Sequence, residues 1–286
     1  MNRRKFIAGA AAGVGAAYLA DHAMAGVLDL PAHSGKVEAH DTVTLGKTGI
    51  RTSRLAMGTG TIGGGGASNQ TRTGQLTRLL RTGYDRGLIF FDTADSYGSH
   101  PEVGEAISQL PRDKVVIMTK CDSRDPKQAK ANIDRYRREL KTDYIDILLM
   151  HCMMEGDWTE RYRGVMDVFE EAKQNKIIRT HGCSCHSVEA LRAAARSPWV
   201  EVDLVRLNPV GAHMDADPET VIGVIKEMRT QGKGIIGMKI LGQGAMRSRQ
   251  DEAIRFALGS GVLDAFTIGA ESDAEQSDLI RRIAAA

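Results

Sequence analysis

Eight short apolar runs recur along the chain, at 55–61, 89–93, 115–120, 145–151, 178–183, 204–208, 235–240 and 265–269. Between them the apolar positions change to helical spacing, around 71–86, 101–110, 126–140, 159–175, 187–196, 218–231 and 250–259. A last helical stretch, 273–284, follows the eighth run. Runs that alternate with helices predict a parallel sheet covered by helices. Eight such units in about 230 residues match a (β/α)8 TIM barrel in count and size. Ahead of them, 43–45 and 51–53 flank Gly46-Lys47-Thr48-Gly49, which reads as a β-hairpin capping the barrel floor. No low-complexity break divides the body, so a single barrel domain over 26–286 is expected. Gly58-Thr59-Gly60-Thr61-Ile62-Gly63 fits the G-x-G-x-x-G pattern of a dinucleotide-binding Rossmann fold. That pattern requires a helix to open at its third glycine. Here three more glycines follow and helical signals begin only near Thr71, so a flexible loop at a barrel mouth is the better reading.

Composition narrows the partners. The chain has 286 residues, 42% hydrophobic and 26% charged, which is ordinary for a globular protein and excludes a disordered or collagen-like one. Its formal charge is +2. Setting aside residues 1–25 removes Arg3, Arg4, Lys5 and Asp21 and leaves 35 charges of each sign. No basic excess remains for a nucleic-acid surface. The first 25 residues read as an export address: Asn2-Arg3-Arg4-Lys5-Phe6-Ile7 is a twin-arginine pattern, a Gly/Ala-rich apolar run follows, and Ala23-Met24-Ala25 offers a peptidase site. The run is shorter than the about 20 residues that span a bilayer, so no stable membrane anchor is expected. The expected partner is the twin-arginine export machinery, which moves folded proteins, and the expected location is periplasmic or otherwise extracytoplasmic.

Catalytic groups of such barrels sit at the carboxyl ends of the strands. Those ends carry Asp92, Tyr97 just beyond it, Lys120 and His151. A Lys and an Asp ending buried strands are costly unless paired. An ammonium beside a tyrosine stabilises its phenolate and lowers its pKa, making it a usable proton donor. Each residue alone is most simply a satisfied strand-end polar group; four compatible groups on three successive units favour a catalytic set.

These residues carry a resemblance. Phe91-Asp92-Thr93-Ala94-Asp95-Ser96-Tyr97-Gly98 resembles a signature of the aldo/keto reductases. So do Arg112-Asp113-Lys114-Val115-Val116-Ile117-Met118-Thr119-Lys120 and Asp143-Tyr144-Ile145-Asp146-Ile147-Leu148-Leu149-Met150-His151. The likeness extends over about 43–280. It implies an NAD(P)H-dependent reductase of a small-molecule carbonyl substrate. By that resemblance Tyr97 is the proton donor, Lys120 paired with Asp92 depresses its pKa, and His151 positions the carbonyl. For the cofactor it points to Gly58 and Thr59 after the first strand, and to Ser184 where the family has Ser-Asn. Here Cys185 stands in place of the Asn, and Met238 where a Tyr commonly stacks on nicotinamide. Lys239, Leu241 and Gly244 fall in a pyrophosphate loop, and Gly269 and Glu275 in the adenosine-phosphate segment. Many relatives place a base in that segment, so an acid at 275 leaves the NAD or NADP preference open. The loop 152–158 is short, which suggests an open site, with Trp158 either a pocket wall or a helix-packing residue. The alternative function is a non-catalytic or weakly catalytic barrel that binds a ligand or protein partner outside the cytoplasm.

The four cysteines cluster near the site: Cys121 follows Lys120, Cys152 follows His151, and Cys183 and Cys185 flank Ser184. Strict alternation would turn all four thiols outward, beneath the helices. Three readings stand. They are small buried apolar side chains, a disulfide, or a thiolate metal site. The first is preferred because nothing in the sequence demands a ligand, and no metal is assigned.

Overall fold

A computed structural model describes residues 36–63 and 65–286. The expected export address lies outside the described residues. A short antiparallel hairpin, β1 (Thr42–Thr44) and β2 (Arg51–Ser53), precedes the barrel. Eight strands follow: β3 (Leu55–Gly58), β4 (Phe90–Asp92), β5 (Val116–Cys121), β6 (Ile145–Met153), β7 (Ile178–Cys185), β8 (Val202–Arg206), β9 (Gly234–Met238) and β10 (Ala265–Gly269). They close into a parallel barrel in chain order, with β10 pairing both β9 and β3. The expected (β/α)8 TIM barrel is the fold.

Alternation along the strands separates two cores. Ala56, Phe90, Val116, Met118, Ile147, Leu149, Val202, Leu204, Ile236 and Ala265 fill the barrel interior. Their strand neighbours, such as Met57, Phe91, Ile117, Leu148 and Val205, pack against the helices. Leu45 and Ile50 join the interior group from the hairpin, which is therefore a floor plug. Gly46 makes that seat possible. Its φ is +47°, and a Cβ there would lie 2.3 Å from the Gly232 carbonyl oxygen.

The helices are α1 (Asn69–Arg72), α2 (Leu76–Asp85), α3 (His100–Ile107), α4 (Pro126–Glu139), α5 (Trp158–Arg161), α6 (Arg163–Gln174), α7 (Val188–Arg196), α8 (Pro218–Thr230), α9 (Gln250–Gly259) and α10 (Asp273–Ala284). Asp125, Ser187, Asp217 and Ser272 cap α4, α7, α8 and α10 by accepting backbone N–H bonds, and Pro126 and Pro218 pre-set the first turns of α4 and α8. Two predicted helices are each split. The first breaks at Gly74, whose φ is +63°, and the second at Tyr162, whose φ of −108° leaves the helical region.

Candidate active site at the barrel mouth

The register sets the ends of the strands level: Gly58 pairs with Asp92 and with Gly269, and Arg206 with Met238. Asp92 thus ends β4 at the mouth, where its Oδ1 accepts from Lys120 Nζ at 2.5 Å and its Oδ2 from Thr267 Oγ1 at 2.8 Å. Lys120 is 1% exposed and also donates to the Thr93 carbonyl at 2.8 Å. Burial works against the ammonium, but the Asp92 carboxylate outweighs it and holds the lysine above its ordinary value.

Tyr97 ends a single 3₁₀ turn, Asp95–Tyr97. That turn is fixed to α4: Arg135 donates to both Asp95 carboxylate oxygens at 2.8 Å, and Tyr136 Oη donates to one of them at 2.8 Å. The Tyr97 ring centroid lies 4.8 Å from Lys120 Nζ, and 5.9 Å from the His151 ring, edge to face. His151 Nδ1 is bonded to Asp122 Oδ1 at 2.7 Å, so the ring is oriented and Nε2 has no hydrogen-bond partner among the described residues. Burial alone would lower the imidazole, yet Asp122 raises it above its usual value. The four predicted catalytic residues are therefore assembled in one place.

The tyrosine's pKa differs from expectation. Burial raises the phenol above its ordinary value, and Lys120 only partly offsets this. The cause is the glycine-rich loop. A Cβ on Gly60 would come within 2.3 Å of the Tyr97 ring, and one on Gly63 within 2.9 Å, so the bare backbone lies directly on the ring. The loop is tied down by Gly66 N–H, which donates to the Ser96 carbonyl at 2.9 Å. This loop shields the tyrosine.

The predicted cofactor residues divide. Thr59 is buried and its hydroxyl is committed to the Asp92 carbonyl at 2.9 Å and to Ser99 Oγ at 2.8 Å. The Gly58 carbonyl accepts from Gln70 Nε2 at 3.2 Å. Both support the Asp92 strand end, a role the motif did not reveal. Ser184 is buried, and its Oγ accepts the Cys152 N–H at 2.9 Å. Met238 closes the top of the barrel interior. Beyond it the loop holds a series of left-handed residues, Lys239 at φ +56°, Gly242 at +56°, Gln243 at +54° and Gly244 at +101°. The Gly242, Gly244 and Ala245 N–H groups close the loop on itself, donating to the Lys239, Leu241 and Gly242 carbonyls at 2.8, 3.0 and 3.1 Å. Leu241 is partly buried within this loop, and Gly244 is exposed with open space where a Cβ would be. Gly269 is exposed at the end of β10 but crowded, since a Cβ would lie 2.5 Å from Thr61 Oγ1. Glu275 takes a capping role: its Oε2 accepts the Glu271 N–H at 2.8 Å at the start of α10.

Sequence alternation misplaced one thiol. Cys121, Cys183 and Cys185 are buried in the layer beneath the helices, as expected. Cys152 is only half-buried, with Sγ 3.6 Å from His186 Nε2. The β6–β7 register shifts between Met150 and Met153, and Cys152 has a φ of +57°, so the residue leaves the alternation. Burial opposes ionisation, but the imidazoles of His151 and His186 hold this thiol down at about 6. Trp158 is fully buried and donates to the Ala190 carbonyl at 3.2 Å, so it packs helices and does not wall the pocket. Asp122, Asp95 and His186 were not found from the sequence; each lies one or more residues beyond an apolar strand run, where spacing gives no cue.

A barrel whose mouth joins a buried Lys–Asp pair to a shielded tyrosine and an oriented histidine suits proton transfer to a bound small molecule. The aldo/keto reductase family profile matches residues 54–262, and the chain belongs to that family. It is 27% identical over 188 residues to the NADH-specific methylglyoxal reductase of Escherichia coli, a match covering 57% of each protein. It is 22% identical over 214 residues to the L-galactose dehydrogenase of Arabidopsis thaliana, covering 71% of this chain and 66% of that one. The chain thus matches between half and two thirds of the length of these curated relatives. Among solved structures, the holo form of an aldo-keto reductase from Bacillus halodurans superposes with a TM-score of 0.69 at 18% identity, covering 85% of this chain and 90% of that one.

Proposed function

We propose that the chain reduces a small-molecule aldehyde or ketone with an NAD(P)H cofactor, with Tyr97 as the proton donor. The observation that carries this is the contact series Asp92–Lys120–Tyr97–His151 at the mouth. A nicotinamide, when bound, supplies the hydride. The residues present fit such a group on one observation: the partly buried Lys239 ammonium, held below its ordinary value by burial and the Arg206 guanidinium, has no ion-pair partner among the described residues, and an anionic pyrophosphate would relieve it. Ser184, Met238 and Gly269 stand on the same face of the barrel.

The chain's own part is proton management. Burial keeps the Tyr97 phenol protonated at neutral pH, as a donor must be before the reaction. As the proton leaves, the phenolate forms beside a lysine that Asp92 keeps charged, and that ammonium stabilises the anion in a half-buried site. His151, fixed through Nδ1, keeps Nε2 free to hold the substrate oxygen. The loop covers part of the ring through Gly60 and Gly63. The segment 269–275 carries Glu271 and Glu275 and no lysine or arginine, so the site is proposed to accept NADH as well as NADPH.

The test measures NADH and NADPH oxidation against a panel of aldehydes and ketones with wild type and Tyr97→Phe. The variant should lose about 10²–10⁴-fold in turnover while binding nucleotide normally. Wild-type turnover in the variant would remove Tyr97 from the role. Export through the twin-arginine route is proposed from Arg3-Arg4, the apolar run after them and Ala23-Met24-Ala25; precursor with both arginines replaced by Lys should stay in the cytoplasm, and unchanged export would discard the proposal.

A further inference from the structure

Cys183 and Cys185 sit two residues apart on β7, so their thiols share one face. The register places Asp203 of β8 directly beside Cys183. All three side chains are fully buried. Their sulfurs are 3.8 Å apart, Cys183 Sγ is 3.7 Å from Asp203 Oδ1, and Cys185 Sγ is 3.6 Å from Oδ2. Tetrahedral zinc with the usual bond lengths separates two sulfur ligands by about 3.8 Å and a sulfur from an oxygen by about 3.6 Å. Each sulfur meets a different oxygen of Asp203, and one ligand atom from each of the three residues lies within 4.8 Å of the others, near enough for a small turn of the carboxylate to bring them to those spacings around one ion.

A second observation is the charge around them. Asp215 is buried, and its Oδ2 has no partner although Arg206 binds Oδ1. Lys233 lies close enough to act on Asp203 and Cys183, but its ammonium is already held by the Ala194 and Ser197 carbonyls. No ammonium or guanidinium makes a hydrogen bond or ion pair with Cys183, Cys185 or Asp203 among the described residues. Thiols are the only side-chain hydrogen-bond partners of Asp203 among the described residues.

We infer that Cys183, Cys185 and Asp203 bind a zinc-like divalent cation that fastens β7 to β8 behind Ser184. Binding forms two metal–sulfur bonds and one metal–oxygen bond. The two thiol protons, with the Asp203 proton where it is held, pass to solvent. The mixed thiolate–carboxylate set selects zinc over magnesium or calcium, which take oxygen ligands. The site is separate from the proton-transfer groups, because these side chains face the helices whereas Ser184 between them faces inward.

The full-length protein, purified without chelator, should carry about one zinc per chain by elemental analysis. Metal-free protein titrated with cobalt chloride should show thiolate-to-cobalt charge-transfer absorption that saturates at the same ratio. Cys183→Ser with Cys185→Ser should abolish both signals. Asp203→Asn, nearly equal in volume, should weaken zinc binding about 10–100-fold while circular dichroism stays native. Cys121→Ser and Cys152→Ser should leave binding unchanged. A folded wild type that takes up neither metal would overturn the inference. So would metal binding that survives the double serine replacement, or a Cys183–Cys185 disulfide in the isolated protein.

Discussion

Replacing Asp92 by Asn removes the carboxylate that pairs a buried ammonium and changes little else in volume. Lys120 is then left with the Thr93 carbonyl as its remaining hydrogen-bond partner. Breaking a buried ion pair in this way costs about 3–5 kcal/mol. The lysine can limit the loss by giving up its proton. Moving its pKa from about 10.4 to below 7 costs about 4.6 kcal/mol at pH 7, so the two routes agree. The pH dependence has a definite sign. In wild type the folded pKa of Lys120 is raised, so its stabilisation is complete below the unfolded value near 10.4 and fades as pH rises through the folded value. In the variant the folded pKa falls, and the deficit grows as pH drops below about 10. The stability gap should therefore be wide at pH 7 and narrower at alkaline pH. Urea unfolding followed by tryptophan fluorescence at both pH values measures it. Adding Lys120→Met to Asp92→Asn should recover part of the loss, since removing both partners is close to neutral. A single-variant loss under about 1 kcal/mol, or a double variant less stable than the single, would refute the buried pair as drawn.

Cys152 should be reactive at neutral pH. With a pKa of about 6 against an ordinary 9.0 it is about 90-fold more ionised at pH 7. Its lower basicity removes about 20-fold of that in nucleophilicity, leaving alkylation about fourfold faster than for a normal thiol at pH 7 and about 20-fold faster at pH 6. Iodoacetamide rates should have a midpoint near pH 6 and vanish in Cys152→Ser; a midpoint near 9 would contradict the imidazole contacts. Gly60→Ala should displace the loop from Tyr97 or cost about 1–3 kcal/mol of stability, because its Cβ would meet the ring at 2.3 Å. A variant with native stability and turnover would mean the loop does not lie on the ring.

The strands and most helices were legible because a parallel barrel buries both faces of every strand, so each reads as an apolar run. The tetrad was legible for the complementary reason: Asp92, Lys120 and His151 interrupt those runs at their ends. The two helix breaks were hidden, since glycine within a helical pattern is tolerated and Tyr162 bears no breaker signature. Cys152 was misplaced because a register shift in β6 cannot be read from alternation. The raised Tyr97 pKa came from a loop about 35 residues upstream, and Asp203 met the Cys183–Cys185 pair only through pairing of β7 with β8. Both contacts are long-range and leave no local spacing.

The most direct measurement of the central claim follows a hydride. Protein incubated with a reduced nicotinamide nucleotide carrying deuterium at both C4 positions and an aldehyde it turns over should yield an alcohol with deuterium on the carbinol carbon. Tyr97→Phe should bind the same nucleotide yet form that product about 10²–10⁴-fold more slowly. Wild-type protein that binds no nicotinamide nucleotide, or releases an alcohol free of deuterium, would contradict the account.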